Sequence, residues 1–242
     1  SYNAETEYLY EKIGTTEVEM ITEDSLGNRI IRKQETNMGD FATDAYKAVT
    51  GADIAIANSG GIRTNISVGD ITRKALMDVN PYGNEISVVK ATGQQIIDAL
   101  EHGARLHPTL NGGFLQVSGL TYEIHSYVES PVEVDSDGSF VKIDDTKERR
   151  VMNVKVNGEA IGLDKEYTVA ATTFLLLNGG DGFTMFKECE VVSESSLPAD
   201  AEMLIKYFTD NLNGVITSEK YGDTKGDGRI KIIASEQELY HN

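Results

Sequence analysis

Asp53-Ile54-Ala55-Ile56-Ala57-Asn58-Ser59-Gly60-Gly61-Ile62-Arg63 is the stretch on which the reading of this chain turns. A short apolar run that ends abruptly in polar and glycine residues reads as a buried strand entering a tight turn. The paired glycines let backbone N–H groups approach a ligand, Asn58 offers both a donor and an acceptor, and Arg63 adds a planar cation. Upstream, Gly39 to Val49 places Phe41, Ala42, Ala45 and Val49 on one helical face. Downstream, Glu85 to Lys90 reads as a strand, and Thr92 as the N-cap of a helix carrying Ile96, Ile97, Leu100 and Ala104.

Further out the pattern turns strand-rich. Phe114 to Ile124 and Phe140 to Ile143 are candidate strands, and Val151 to Val156 runs into the hairpin signal Asn157-Gly158. Tyr167 to Thr173 is a strand entering a second glycine turn, Asn178-Gly179-Gly180-Asp181-Gly182-Phe183. Glu190 to Val192 and Arg229 to Ile233 complete the strands. Pro198 reads as the first residue of a helix bearing Leu204, Ile205, Phe208 and Leu212. At the start, Ala4 to Ile13 has helical spacing and Val18 to Ile21 is strand-like. Helices among strands, hairpin signals and few regular βαβ repeats predict an α+β fold. It is a single multilayer mixed α/β domain, with a division into two sub-lobes near residue 110 left open.

The chain has 242 residues, and 22 basic against 39 acidic side chains give a net charge of −17. That balance excludes a bulk electrostatic grip on nucleic acid or an anionic bilayer, while leaving room for a local basic pocket around one phosphate. Charged residues at 25% and hydrophobic ones at 40% mark a globular chain. No apolar run is long enough for a transmembrane helix, and no signal peptide opens the sequence. A chain that opens on Ser1 reads as a processed or excised piece. The single Cys189 forbids an internal disulfide and a cysteine zinc site.

A reaction centre is hard to find. His102, His107, His125 and His241 fall in no metal-binding pattern and read as structural or solvated residues, and neither a nucleophile elbow nor a phosphate-binding P-loop occurs. Two acidic glycine segments invite a calcium test. Asp223 to Ala234 fails it, with Lys225 at the third loop position and Ala234 at the twelfth. The segment from Glu133 to Asp144 has better-placed carboxylates, but its flanks are strand-like and Asp137-Gly138 signals a turn. By contrast, the two glycine turns and Asn80-Pro81-Tyr82-Gly83-Asn84 supply a stacking ring, a hydrogen-bonding carboxylate and cationic anchors, a combination suited to a nucleoside or nucleotide.

The order of the motifs then becomes specific. Glu35-Thr36-Asn37-Met38-Gly39-Asp40-Phe41, Asn58 to Arg63, Gly69-Asp70-Ile71, Pro81-Tyr82-Gly83-Asn84, Thr92-Gly93, Gly113 to Gly119 and Gly179 to Phe183 follow one another as in the C-terminal domain of the 5′-nucleotidase family, which the chain resembles from about Ile13 to Ile232. The resemblance implies that residues 1–16 are the end of an interdomain linker helix with a lead-in segment, and 17–242 the substrate-binding domain. It further implies a nucleoside- or nucleotide-binding partner to an N-terminal metallophosphoesterase domain of the same parent chain, which would hold two divalent metal ions and the hydrolytic chemistry. The DxH, GNHE-like and HxH motifs of that metal domain are missing here. The chain alone is therefore expected to be inactive, with no cofactor of its own and no nucleic-acid partner. An extracellular, cell-surface or periplasmic location is also implied. The competing reading is a non-enzymatic surface or assembly module that keeps the fold without ligand binding.

By the same resemblance, Arg32, Asn58, Gly61 and Arg63 match substrate-binding positions, Tyr82 one aromatic of a base clamp, Asn84 a base-contacting residue, and Asp181 the carboxylate for the ribose hydroxyls. Arg29 is not carried over. The second clamp aromatic would stand at Leu175, with Phe174 one residue earlier. On a strand those two would point to opposite faces, so either Leu175 meets the base or an irregular backbone brings Phe174 there.

Overall fold

The computed structural model describes residues 2–194 and 196–236; His241 lies outside them. The architecture is built on a five-stranded sheet in the order Glu190–Val191, Ile86–Thr92, Glu166–Thr172, Ile54–Asn58, Leu115–Ser118. Only the pairing of Ile54–Asn58 with Glu166–Thr172 is parallel. Strand side chains alternate between faces, and here both faces are apolar. Ala55, Ala57, Val88 and Ala170 face one core, while Ile54, Ile56, Val89, Ala91, Val169 and Ala171 face the other.

The first core is closed by helix Asn37–Thr50, through Phe41, Ala42, Ala45 and Tyr46, and by helix Asp200–Lys206 with the π turn Tyr207–Asn211. The small strand alanines admit the bulky helix side chains. Thr36 caps helix Asn37–Thr50 by accepting from the Gly39 N–H, and Gly51 ends it at φ 72°. The second core lies under helix Gly93–Ala104 and a four-stranded sheet, ordered Glu159–Ala160, Val151–Val156, Leu120–His125, Ile230–Ile233. Thr92 and Gln95 close a reciprocal capping box on that helix. A three-stranded sheet of Val215–Ile216, Lys12–Thr16 and Gly69–Thr72 and the hairpin Val132–Val134/Phe140–Ile143 complete the layers.

The mixed fold is as the sequence implies, although the two cores are the two faces of one sheet rather than lobes parted near residue 110; both draw on segments before and after that point. Several local expectations need correction. The first helix is Tyr2–Tyr10, and Ile13 belongs to a strand; Val18 to Ile21 makes only the bridge Met20–Ile66. Phe114 to Ile124 is two strands in different sheets, broken at Gly119, where φ is 82° and a Cβ would press on the Asp53 carbonyl. Pro198 precedes its helix by two residues, because the Asp200 N–H is tied to the Asn84 carbonyl at 2.9 Å and fixes the start there.

Register decides where function can sit. Asn58 pairs with Leu115 and Thr172 with Ile86, so these four strand ends lie on one edge of the central sheet. The segments 59–63, 80–85, 111–114 and 173–183 all leave from it.

Candidate functional site

Those segments are stitched together by backbone hydrogen bonds. The Ser59 and Gly60 N–H groups donate to the Phe114 and Gly112 carbonyls at 2.9 and 2.8 Å. The Asn111 N–H donates to the Arg32 carbonyl at 3.0 Å, which brings the short turn Ile30–Arg32 to the same edge. The Arg63 N–H donates to Val79, and the Asn80 amide to the Gly61 carbonyl at 3.0 Å, fixing the 80–84 loop alongside. A Cβ at Gly61 would come no nearer than 3.9 Å to the Asn58 amide, so the turn leaves open space beside that side chain.

At the centre, the Asn58 Nδ2 donates to Asp181 Oδ2 at 2.8 Å. Asp181 sits in the left-handed region at φ 54°, between Gly179 at 67° and Gly182 at 82°. Its backbone carbonyl accepts from Nε2 of His102, a fully buried residue on the last turn of helix Gly93–Ala104. Sequence reasoning set His102 aside; its partner is a carbonyl 79 residues away, which leaves no local pattern to read.

On the cationic side, Arg29, Arg32 and Arg63 gather with no direct ion pair to a carboxylate among the described residues, although the charge of Glu23 acts on Arg29, in a chain of net charge −17. Arg29 donates to the Ile62 and Arg63 carbonyls at 2.7 and 3.1 Å, and Arg63 to the Gly60 carbonyl at 3.2 Å. Burial, followed by the charges of Arg32 and Arg63, lowers the Arg29 pKa. Nε of both Arg29 and Arg32 is buried with no hydrogen-bond partner. Such a cluster is poised for an anion, because guanidinium forks match phosphate and carboxylate oxygens. Arg29, absent from the residues carried over from the sequence, is thus part of it, and so is Asn111, which the turn Asn111-Gly112-Gly113 could have flagged.

Two rings stand at this edge. Tyr82 is 61% exposed in its turn beside Gly83 at φ 63°. Asn84 is held by Asp200: its carbonyl accepts the Asp200 N–H and its side chain bonds the Asp200 carboxyl, whose pKa burial raises. For Phe174 and Leu175 the strand assumption gives way. Thr172 caps the one-turn helix Thr173–Leu176, and successive residues there diverge by about 100° rather than alternating. Leu175 turns wholly into the second core, whereas Phe174 remains 43% exposed with its ring directly over Gly180, where no Cβ could fit.

The sites weighed for metal look different. Asp135 Oδ1 accepts the N–H groups of Asp137 and Ser139, closing a hairpin turn. Among the described residues, Glu35, Asp40 and Asp227 form a compact acidic trio, with Arg229 3.5 Å from Asp40 and paired to both Asp227 and Asp44. A separate open cavity of about 1060 Å³, lined by Lys47, Lys155 and Lys165 among others, lies toward the opposite edge of the central sheet. Two of its lysines have local roles: Lys47 lies in the last turn of its helix, and Lys165 stands over the Tyr167 ring at 5.2 Å. No described helix is long and apolar enough to cross a membrane.

Comparison with known proteins identifies the family and the fold. The model of the family described as 5′-nucleotidase, C-terminal domain, matches residues 12–188. The chain is 35% identical over 187 residues to the trifunctional nucleotide phosphoesterase protein YfkN of Bacillus subtilis, covering 74% of this chain and 11% of that protein. It is 31% identical over 230 residues to the cell wall protein Lmo0130 of Listeria monocytogenes, covering 88% and 26%. Among solved structures, the 5′-nucleotidase precursor from Thermus thermophilus superposes with a TM-score of 0.77 at 29% identity, over 96% of this chain and 41% of that one. The chain thus spans only a fraction of the length of each of these relatives. With seven ordered motifs, the family model and the superposed fold in agreement, the chain belongs to the 5′-nucleotidase family as its C-terminal domain.

Proposed function

We propose that this domain binds the nucleoside part of a nucleotide and presents its phosphate to a dimetal domain elsewhere in a longer, exported parent protein. The observation that carries the reading is the convergence on one sheet edge of the exposed rings of Tyr82 and Phe174, the Asn58–Asp181 pair and the Arg29–Arg32–Arg63 cluster. In this reading Tyr82 and Phe174 flank the base, Asn84 borders it, and Asp181 accepts from the ribose hydroxyls while Asn58 orients it. Gly61 leaves room for the ligand, and the arginines meet the phosphate end. AMP-like nucleotides, cyclic nucleotides and nucleotide sugars share this chemistry. The two metal ions belong to the other domain, where they would lower the pKa of an attacking water. The names of the relatives, a cell wall protein and a 5′-nucleotidase precursor, support a place outside the cytoplasm. The exposed ring of Phe174, beside a buried Leu175, supports this reading over a module that keeps the fold without ligand binding.

Calorimetric titration with adenosine and AMP tests the reading. Base–aromatic stacking is worth about 1–3 kcal/mol, so Tyr82→Ala and Phe174→Ala should each weaken binding by about 5- to 150-fold. Asp181→Ala should weaken adenosine binding and scarcely affect a ligand lacking both ribose hydroxyls. The chain supplied with manganese or zinc should release no phosphate from AMP. Absence of binding at millimolar adenosine, or binding indifferent to Tyr82 and Asp181, would overturn the assignment.

A further inference from the structure

We infer that His102 is a positioning residue for the ribose subsite: its neutral imidazole, protonated on Nε2, holds the Asp181 backbone in the conformation that aims the carboxylate at the ligand. This rests on the ribose role proposed for Asp181.

The tautomer follows from the partner. The Asp181 carbonyl, 2.9 Å from Nε2, can only accept, so Nε2 carries the hydrogen and Nδ1 is bare. Nδ1 is buried with no hydrogen-bond partner, as a lone pair facing apolar surroundings would be. The ring is fixed edge-on by Phe183 at 4.8 Å and Phe140 at 6.0 Å between centroids. Arg105 Nη1 lies 3.3 Å from Nε2 but donates to the His102 carbonyl at 2.9 Å, so the guanidinium sits beside the imidazole without needing its lone pair. Burial, partly offset by the Asp181 carbonyl, pushes the His102 pKa down to about 4, which keeps the donor uncharged at neutral pH. A buried neutral imidazole must place its one ring hydrogen on some acceptor, and here that acceptor is the residue that bears the site's carboxylate.

The held conformation is the reason a latch is required. A non-glycine residue at φ 54° is disfavoured and persists where its surroundings over-determine it. A Cβ at Gly182 would meet His102 Nε2 at 2.9 Å and press on the Gly138 carbonyl, so the chain passes the imidazole at the closest approach that glycine permits. With the carbonyl fixed from behind and the carboxylate fixed in front by Asn58 at 2.8 Å, Asp181 has one orientation.

The test has a ligand-free arm and a ligand arm. In the ¹⁵N spectrum of the wild-type chain at neutral pH, His102 should show protonated Nε2 and bare Nδ1. The opposite tautomer would overturn the latch whether or not any nucleoside binds. In His102→Leu, the Asp181 and Gly182 amide signals should shift, and in His102→Gln, whose amide can reach the same carbonyl, they should stay near their wild-type positions. For ligand, adenosine and 2′,3′-dideoxyadenosine are titrated into each protein. His102→Leu should lose at least about tenfold in adenosine affinity, the scale of a hydrogen bond to a charged group, and nothing for the dideoxy compound; His102→Gln should keep the preference. A folded His102→Leu with unmoved amides and an undiminished preference would refute the inference, as would equal loss for both ligands. A wild type that does not distinguish the two ligands would refute the ribose reading instead, with the tautomer and amide signals still deciding the latch. If His102→Leu does not fold, the tautomer and the His102→Gln preference decide it.

Discussion

Asp40 carries the clearest electrostatic consequence of any single residue. It is nearly fully buried on the helix that closes the first core. Burial and then its hydrogen bond to Glu35 push its carboxyl up to about 10, against the pull of Arg229. Its neighbour Asp44 ends up lowered: burial alone would raise it, but the hydrogen bonds and charge of Arg229 outweigh burial. The two acids therefore act on stability in opposite directions. At neutral pH folded Asp40 keeps a proton that the unfolded chain has lost, so stability falls as pH rises from about 4 toward 10. The limiting slope for one proton is about 1.4 kcal/mol per pH unit, so the loss from pH 6 to 9 is at most about 4 kcal/mol. Asp40→Asn, which can still donate to Glu35, should be more stable than wild type at pH 9 and lose most of that slope. Urea unfolding at pH 6 and pH 9 measures it, and an unchanged slope would refute the protonated assignment. The Asp44 contribution runs the other way, present above the ordinary carboxylate range and lost as pH falls below it.

At the scale of elements, the helix Gly93–Ala104 shows both how much the sequence reveals and where it stops. Thr92 was readable as its N-cap, and the structure adds the reciprocal bond, in which the Thr92 N–H donates to the Gln95 side-chain oxygen. Thr92→Ala should cost about 1 kcal/mol, seen as a lower urea midpoint with the same slope. Helix Asn37–Thr50, the strand Ile54–Asn58 and the Asn157-Gly158 hairpin were equally legible, because periodicity, caps and left-handed turns are written in adjacent residues. What escaped depends on distant partners. Phe114 to Ile124 is continuous in hydrophobicity, yet Gly119 sends its halves to separate sheets. Phe174 and Leu175 read as a strand continuing Glu166–Thr172, while the Thr172 cap turns the chain into a helix that buries Leu175 and leaves Phe174 exposed. His102 and Arg29 bond to carbonyls 79 and 33 residues away, so no spacing rule could find them.

Across the whole molecule, the sheet with two buried faces makes the layers inseparable, and the last part of the chain belongs to both. Met203, Leu204, Tyr207, Phe208, Ile216 and Tyr221 fill the first core, and Ile230 completes the second. Arg229 is meanwhile the counter-ion for Asp44 and the acidic trio. All of these lie beyond residue 188, where the family match ends. A fragment cut at residues 12–188 should therefore give a collapsed species lacking dispersed amide signals, whereas 12–236 should give the native spectrum. On the ribosome the same feature sets an order of events: the segments that gather at the candidate site leave the exit tunnel well before the strand and arginine that finish the cores beneath it. The nascent chain must hold its candidate site half-built, with its buried acids uncompensated, until Arg229 and Ile230–Ile233 have been made.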